Sequence, residues 1–213
     1  MPNYIMQPME IEKKSFETIW DEMEERDKAK FDDKEIKVIQ RIIHTSADFE
    51  YAKLTKFINK PIERAIESLQ KGTKIYVDTN MIKAGVNKRV LSRLECELVN
   101  YVADDDVREE AYERDITRSL VSIEKACKKE NIKIFIIGNA PTALFSLMEM
   151  IKSGYGKPDF VIAVPVGFVG AAESKKEFMD LNIPSVIVEG RKGGSTIAVA
   201  VLNAILYMMD NNR

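Results

Sequence analysis

The chain has 213 residues, 45% of them hydrophobic and 31% charged, with a formal net charge of −2. That length and balance suit one globular unit able to bury a full core, and the lack of a basic excess excludes the charge signature of a nucleic-acid or anionic-membrane surface. There are two cysteines, Cys96 and Cys127, in no metal or redox spacing, and a single histidine, His44. Such a set cannot complete a four-ligand thiolate–imidazole zinc site, so any imidazole acid–base chemistry runs through His44.

Composition divides the chain. Residues 1–130 hold 51 of the 66 charges but two of the ten glycines, whereas residues 131–213 hold the other eight glycines. The expectation is one domain over 1–213, with a charge-rich helical part (1–130) and a glycine-rich βαβ part (131–213). The opening octapeptide has no basic segment followed by an apolar one. The most apolar run, 197–209, is too short to span a bilayer. The chain is therefore read as soluble and cytoplasmic, with reduced thiols.

Taken in order, Phe16, Ile19, Trp20 and Met23 form one stripe of an amphipathic helix, and Ile36, Ile39, Ile42 and Ile43 predict a second over 33–44. A third helix is expected over 48–57, and Pro61 starts a fourth over 62–69. A strand follows at 74–78 and another at 97–102; the acidic triplet Asp104 to Asp106 reads as a charged loop rather than a metal site, and a long helix fits 114–129. From residue 132 strands and helices alternate: strand 132–137, helix 141–152, strand 160–164, helix 171–181, strand 186–188 and helix 195–209. Alternation with short connections is the signature of βαβ units. The predicted fold is α/β with three layers, a mainly parallel sheet, helices on both faces and a helical N-terminal part.

Ligands of such folds bind beyond the carboxyl ends of the strands, where this chain gathers its glycines. The turns are Gly138-Asn-Ala-Pro-Thr142, Pro165-Val-Gly-Phe-Val-Gly-Ala171 and Glu189-Gly-Arg-Lys-Gly-Gly-Ser-Thr196. Each leads into a helix N-terminus, whose N–H groups favour an anion. Three on one edge suit a ligand with several carboxylates or phosphates, although glycines also serve tight turns and close packing. The phosphate-binding fingerprints fail: the lysine of the third turn precedes its last glycine, and the second turn lacks the first glycine of the dinucleotide motif. No Gly-x-Ser-x-Gly elbow occurs.

His44 ends the second predicted helix with Arg41 one turn earlier, a spacing that puts both on one face. A helix C-terminus favours the protonated imidazole. The plain alternative is an end-of-helix histidine that caps carbonyls, with Arg41 solvated. Ser15 lies beside the apolar stripe of the first helix, where a small hydroxyl is readily a packing residue.

Several segments together resemble the precorrin-8X methylmutase family, also called cobalt-precorrin-8 methylmutase, of corrin biosynthesis. They are Ser15-Phe16, Arg41-Ile-Ile-His44, Asp78 with Met81 and Gly85, and Thr117-Arg118-Ser119, followed by Ile137-Gly-Asn-Ala-Pro-Thr-Ala-Leu-Phe145, Pro165-Val-Gly-Phe-Val-Gly-Ala-Ala-Glu-Ser-Lys175 and Gly190-Arg-Lys-Gly-Gly-Ser195. The resemblance implies an α/β homodimeric isomerase that moves a ring methyl group from C-11 to C-12 of (cobalt-)precorrin-8, giving cobyrinate or hydrogenobyrinate. It implies no external cofactor, with cobalt present only as part of the tetrapyrrole substrate. It maps the catalytic acid/base onto His44 and substrate contacts onto Ser15 and Arg41. Arg118, Asn139, Gly193, Gly194 and Ser195 join the expected substrate contacts by their place in these motifs. A non-catalytic corrinoid carrier and an α/β enzyme acting on a phosphorylated metabolite stay open as alternatives.

Overall fold

The computed structural model describes residues 6–210. Most of the opening segment read for a leader lies outside them. In chain order the elements are α1 (Pro8–Glu22), α2 (Glu25–Lys28), α3 (Glu35–Ser46), α4 (Tyr51–Leu54), β1 (Thr55–Ile58), α5 (Pro61–Leu69), β2 (Lys74–Val77), α6 (Asn80–Gly85), α7 (Lys88–Arg93) and β3 (Glu97–Val99). They continue with α8 (Asp105–Glu113), α9 (Arg118–Cys127), β4 (Ile132–Ile137), α10 (Pro141–Lys152), β5 (Phe160–Ala163), α11 (Ala171–Met179), β6 (Ser185–Val188) and α12 (Ser195–Met208).

Six strands form one sheet in the order β1-β6-β5-β4-β2-β3. All neighbours run parallel except β1, which pairs antiparallel with β6 through Thr55↔Val188 to Ile58↔Ser185. Strand side chains alternate between faces, and here both faces are apolar, as a doubly covered sheet demands. Ile75, Val77, Ile134, Ile136 and Ile162 face one layer with α5, α6, α7 and α12. Tyr76, Phe135, Ile137, Val161 and Ala163 face the opposite layer of α9, α10 and α11. The expected three-layer α/β architecture with a mainly parallel sheet is what the chain adopts.

The N-terminal helices stack outside this sandwich. Val38 and Ile42 of α3 join the core beneath α12, while Ile39 and Ile43 turn away from it to meet Ile19 of α1 and Met23 just after it. So α3 is buried along two stripes. Its start is set by a reciprocal cap: Asp32 Oδ1 accepts from the Lys34 and Glu35 N–H groups at 2.8 and 2.9 Å, and Glu35 Oε2 accepts from the Asp32 N–H at 3.1 Å. It ends where Ala47 turns left-handed at φ 54°.

Four expectations need correction. The helix expected over 48–57 is one short turn, α4, followed by β1; Thr55, Phe57 and Ile58 suit an edge strand, and β6 supplies its only ladder. Helices α6 and α7 fill a stretch with no expected element, each started by a side-chain cap, Thr79 accepting from Ile82 N–H and Asn87 from Val90 N–H. The acidic triplet is no loop: Asp104 precedes α8, and Asp105 and Asp106 occupy its first turn, where carboxylates suit the helix dipole. The helix expected from 114 begins at Arg118, because Asp115 is left-handed and Thr117 caps the new start.

Candidate functional site

Docking of α1 on α3 brings Ser15 and His44 to one cleft. They line a cavity of about 670 Å³ together with Ile11, Thr18, Ile43 and Phe49. The His44 ring stacks on Phe16, with centroids 5.2 Å apart and planes inclined by 25°. The helix end does not use His44 as a cap: Thr45 Oγ1 donates to the Arg41 carbonyl at 2.9 Å, Ser46 Oγ to Ile42 at 2.9 Å, and the Ala47 N–H to Ile43 at 2.7 Å. The imidazole is exposed and makes no hydrogen bond among the described residues. Ser15 Oγ donates to the Ile11 carbonyl at 2.8 Å.

Arg41 contacts the same Phe16. Its guanidinium lies 4.7 Å from the Phe16 ring and 5.0 Å from that of Tyr207, and Nη1 is 2.9 Å from Glu12 Oε1. It lines a second cavity, about 620 Å³, with Glu12, Lys37, Gln40 and Tyr207. A third, about 260 Å³, extends from Arg41 and Thr45 to Met81, Gly85, Thr196 and Asn203. The i, i+3 spacing therefore does place Arg41 and His44 on one side of α3, both against Phe16, which lines the Arg41 cavity. Arg41 is not solvated. It is sandwiched between two rings and paired.

The three glycine turns lie at the carboxyl edge of the sheet, and the protein itself occupies much of what they offer. At the end of β2, buried Asp78 accepts the N–H groups of Gly138, Asn139 and Ala140 at 3.0, 2.8 and 3.0 Å. Burial pushes the Asp78 carboxyl up, against the three N–H donors that favour its charged form. The first turn is thus filled by an internal carboxylate rather than left open for a ligand. The second and third turns are stapled to one another. Gly167 N–H donates to the Arg191 carbonyl at 3.2 Å, and Gly194 N–H to Val164 at 2.9 Å. Gly193 sits at φ +150°, where a Cβ would fall 2.2 Å from the Val164 carbonyl oxygen. Its glycine is required by backbone crowding.

Two lysines complete this knot. Lys175, wholly buried, donates to the Lys192 carbonyl at 2.7 Å, and burial pushes its ammonium down to about 8. The Lys192 ammonium reaches Asp48 and Glu50, which raise its own pKa and tie the third turn to the loop just after His44. Ser195 Oγ is bonded to Thr79 Oγ1 at 2.9 Å. On the other side of the sheet, Arg118 opens α9, exposed, next to the Thr117–Thr142 hydroxyl contact of 3.0 Å. The Asn139 side chain is exposed as well. None of Arg118, Asn139, Gly193, Gly194 or Ser195 lines the clefts that hold Ser15, Arg41 and His44.

Sequence reasoning assigned no role to Tyr207, and none to Asp78, Lys175 or Lys192 beyond their places in motifs; Phe16 stood only in a motif and in the apolar stripe of the first helix. A signal existed for two. Asp78 directly follows a strand of a parallel sheet, and Lys175 falls on the inward stripe of α11 with Ala171, Ser174 and Phe178. Among the described residues no group of three or more His, Cys, Asp or Glu side chains could hold a metal ion. Asp104 and Asp106 instead share Lys125 at 2.7 Å each. No helix of the described chain is long and apolar enough to cross a membrane.

A family model described as precorrin-8X methylmutase matches residues 10–208. The chain belongs to the precorrin-8X methylmutase family. It is 43% identical over 206 residues to the cobalt-precorrin-8 methylmutase of Priestia megaterium, covering 97% of this chain and 90% of that one. Against the cobalt-precorrin-8 methylmutase of Salmonella typhimurium identity is 41% over 208 residues, covering 96% and 97%. The crystal structure of the precorrin-8X methylmutase of Thermus thermophilus superposes with a TM-score of 0.83 at 36% identity, over 94% of this chain and 95% of that chain. As a family member the chain is an isomerase, a methylmutase of cobalamin biosynthesis.

Proposed function

We propose that the protein converts precorrin-8, with or without cobalt, to the corrin product by moving the ring methyl group from C-11 to C-12, and that His44 is the general acid/base. The observation that carries this reading is the setting of His44. It is the only imidazole in the chain, left out of the helix cap, stacked on Phe16 and open to a cleft of ligand-binding size. Protonation of a ring nitrogen by His44 makes the conjugated system electron-poor beside the migrating methyl. The carbon–carbon bond at C-11 breaks as the one at C-12 forms, and His44 takes its proton back, so substrate and product stay isomers. No cofactor is consumed, and cobalt enters only as part of the substrate.

The substrate carries acetate and propionate groups. Arg41, pre-aligned by two rings, suits a carboxylate that displaces Glu12, and Ser15 offers a hydroxyl on the His44 side. Arg118 and Asn139, exposed on the far side of the sheet edge, contact the tetrapyrrole bound to a second copy of the chain in this reading. Phe168 and Val169, 84% and 88% exposed at the tip of the second turn, give a homodimer an apolar surface to bury.

The test is His44→Ala with precorrin-8 followed in the visible spectrum. The variant should bind the tetrapyrrole and lose about 10²–10⁴-fold in turnover. Undiminished methyl migration rejects the role of His44. Ligand bound but unaltered by the wild-type protein identifies a carrier instead, and no binding favours a different substrate class.

A further inference from the structure

Lys175 is the only lysine buried among the described residues. Moving an ammonium out of water is among the costliest burials, and no carboxylate pairs with this one among the described residues; burial alone displaces its titration. An apolar side chain would fit the inward stripe of α11 at lower cost. What the charge achieves is one contact, the 2.7 Å bond to the Lys192 carbonyl.

That carbonyl belongs to a segment gripped from three directions. The Arg191 carbonyl is held by Gly167 of the second turn, the Lys192 carbonyl by α11, and the Gly194 N–H donates to Val164 at the end of β5. Asp48 and Glu50 are engaged by the ammonium of Lys192. Charge-assisted bonds are roughly twice as strong as neutral ones, so the Lys175 bond is the strongest of the three.

We propose that Lys175 is a positioning residue, whose buried ammonium fixes the Lys192 carbonyl and thereby holds Gly193, Gly194 and the Ser195 start of α12 in the shape the substrate meets. The proposal rests on the methylmutase reading above, together with the expectation from the motifs that the 193–195 turn contacts the tetrapyrrole.

Lys175→Met keeps the stem and its burial but removes the charge. The variant should fold with an unchanged or higher Tm, exchange the amide hydrogens of residues 191–196 about tenfold faster, and raise KM for precorrin-8 about tenfold with a smaller change in kcat. Exchange and KM both within about twofold of wild type overturn the proposal. If the variant does not fold, the wild-type protein decides: the Gly193 and Gly194 amide resonances should move with titration of the Lys175 ammonium near pH 8. Resonances that stay still while that ammonium titrates overturn it. A wild-type protein that turns over no precorrin-8 refutes the functional reading alone, because exchange and resonance shifts report on the turn without substrate.

Discussion

The helix pair that carries His44 and the glycine turns at the sheet edge differ in what holds them. Around His44 the contacts are rings and long side chains: Phe16 against imidazole on one side, Phe16 and Tyr207 around Arg41 on the other, with open cavities between. At the turns the contacts are backbone bonds and buried charge, with Asp78 plugging the first and Lys175 bracing the third. The acid/base proposed for His44 thus stands where side chains can still move, beside a turn frame held by its backbone. This is an economical division, since a general acid needs access to its substrate and a template needs fixed geometry.

The contrast is broken most severely at His44. His44→Ala removes an exposed side chain, so Tm should hold while turnover falls by the factor stated above; a large loss of Tm would show that the helix pair is as rigid as the turns. The converse substitution is Gly193→Ala. Its Cβ would meet the Val164 carbonyl at 2.2 Å, and we expect about 2–4 kcal/mol lost in denaturant unfolding. A stable Gly193→Ala protein would mean that the turn yields after all. Asp78→Asn should cost about 1–3 kcal/mol, because the amide cannot satisfy all three N–H groups. Chemical denaturation of the variant measures it.

A subtler contrast lies in pH. Lys175 titrates near 8 in the folded protein against an ordinary 10.5. Between those values the unfolded chain binds the proton and the native chain does not, so this group makes stability rise with pH across the window and opposes folding below it. Lys175→Met should abolish that rise, as unfolding measured at several pH values would reveal; a variant that keeps the wild-type slope argues against the assignment. The smallest effect is expected from Lys192→Ala. Its pairs with Asp48 and Glu50 are largely exposed, so the change in Tm should be slight and vanish in high salt. A salt-independent loss would show that the clip to the His44 loop is stiffer than its exposure suggests.

Much of the fold was legible in one dimension. Strand β4 and helix α10 fall on the residues that periodicity and Pro141 indicate, and α12 departs from its expected range by one residue at its end. Local signals suffice there because each element is long, doubly buried or capped by its own sequence. Strand β1 was missed because four residues next to a helical turn have no period of their own, and only the ladder with β6 makes them a strand. At the site, Ser15 and His44 were legible as motif members and do share a cleft. That Phe16 would touch both His44 and Arg41 was not, since the ring of α1 reaches residues of a helix separated from it in sequence.

The sequence by itself determined the three-layer fold, the family and the one imidazole available for catalysis, because these follow from periodicity, motif order and a count. Only the tertiary structure decided which of the expected anion-binding turns are already filled. Gly138 to Ala140 are met by a carboxylate 60 residues earlier in the chain, and Lys192 by an ammonium 17 residues before it. Satisfaction of a backbone group depends on what stands opposite it in space, and nothing in the local pattern of a glycine turn records that.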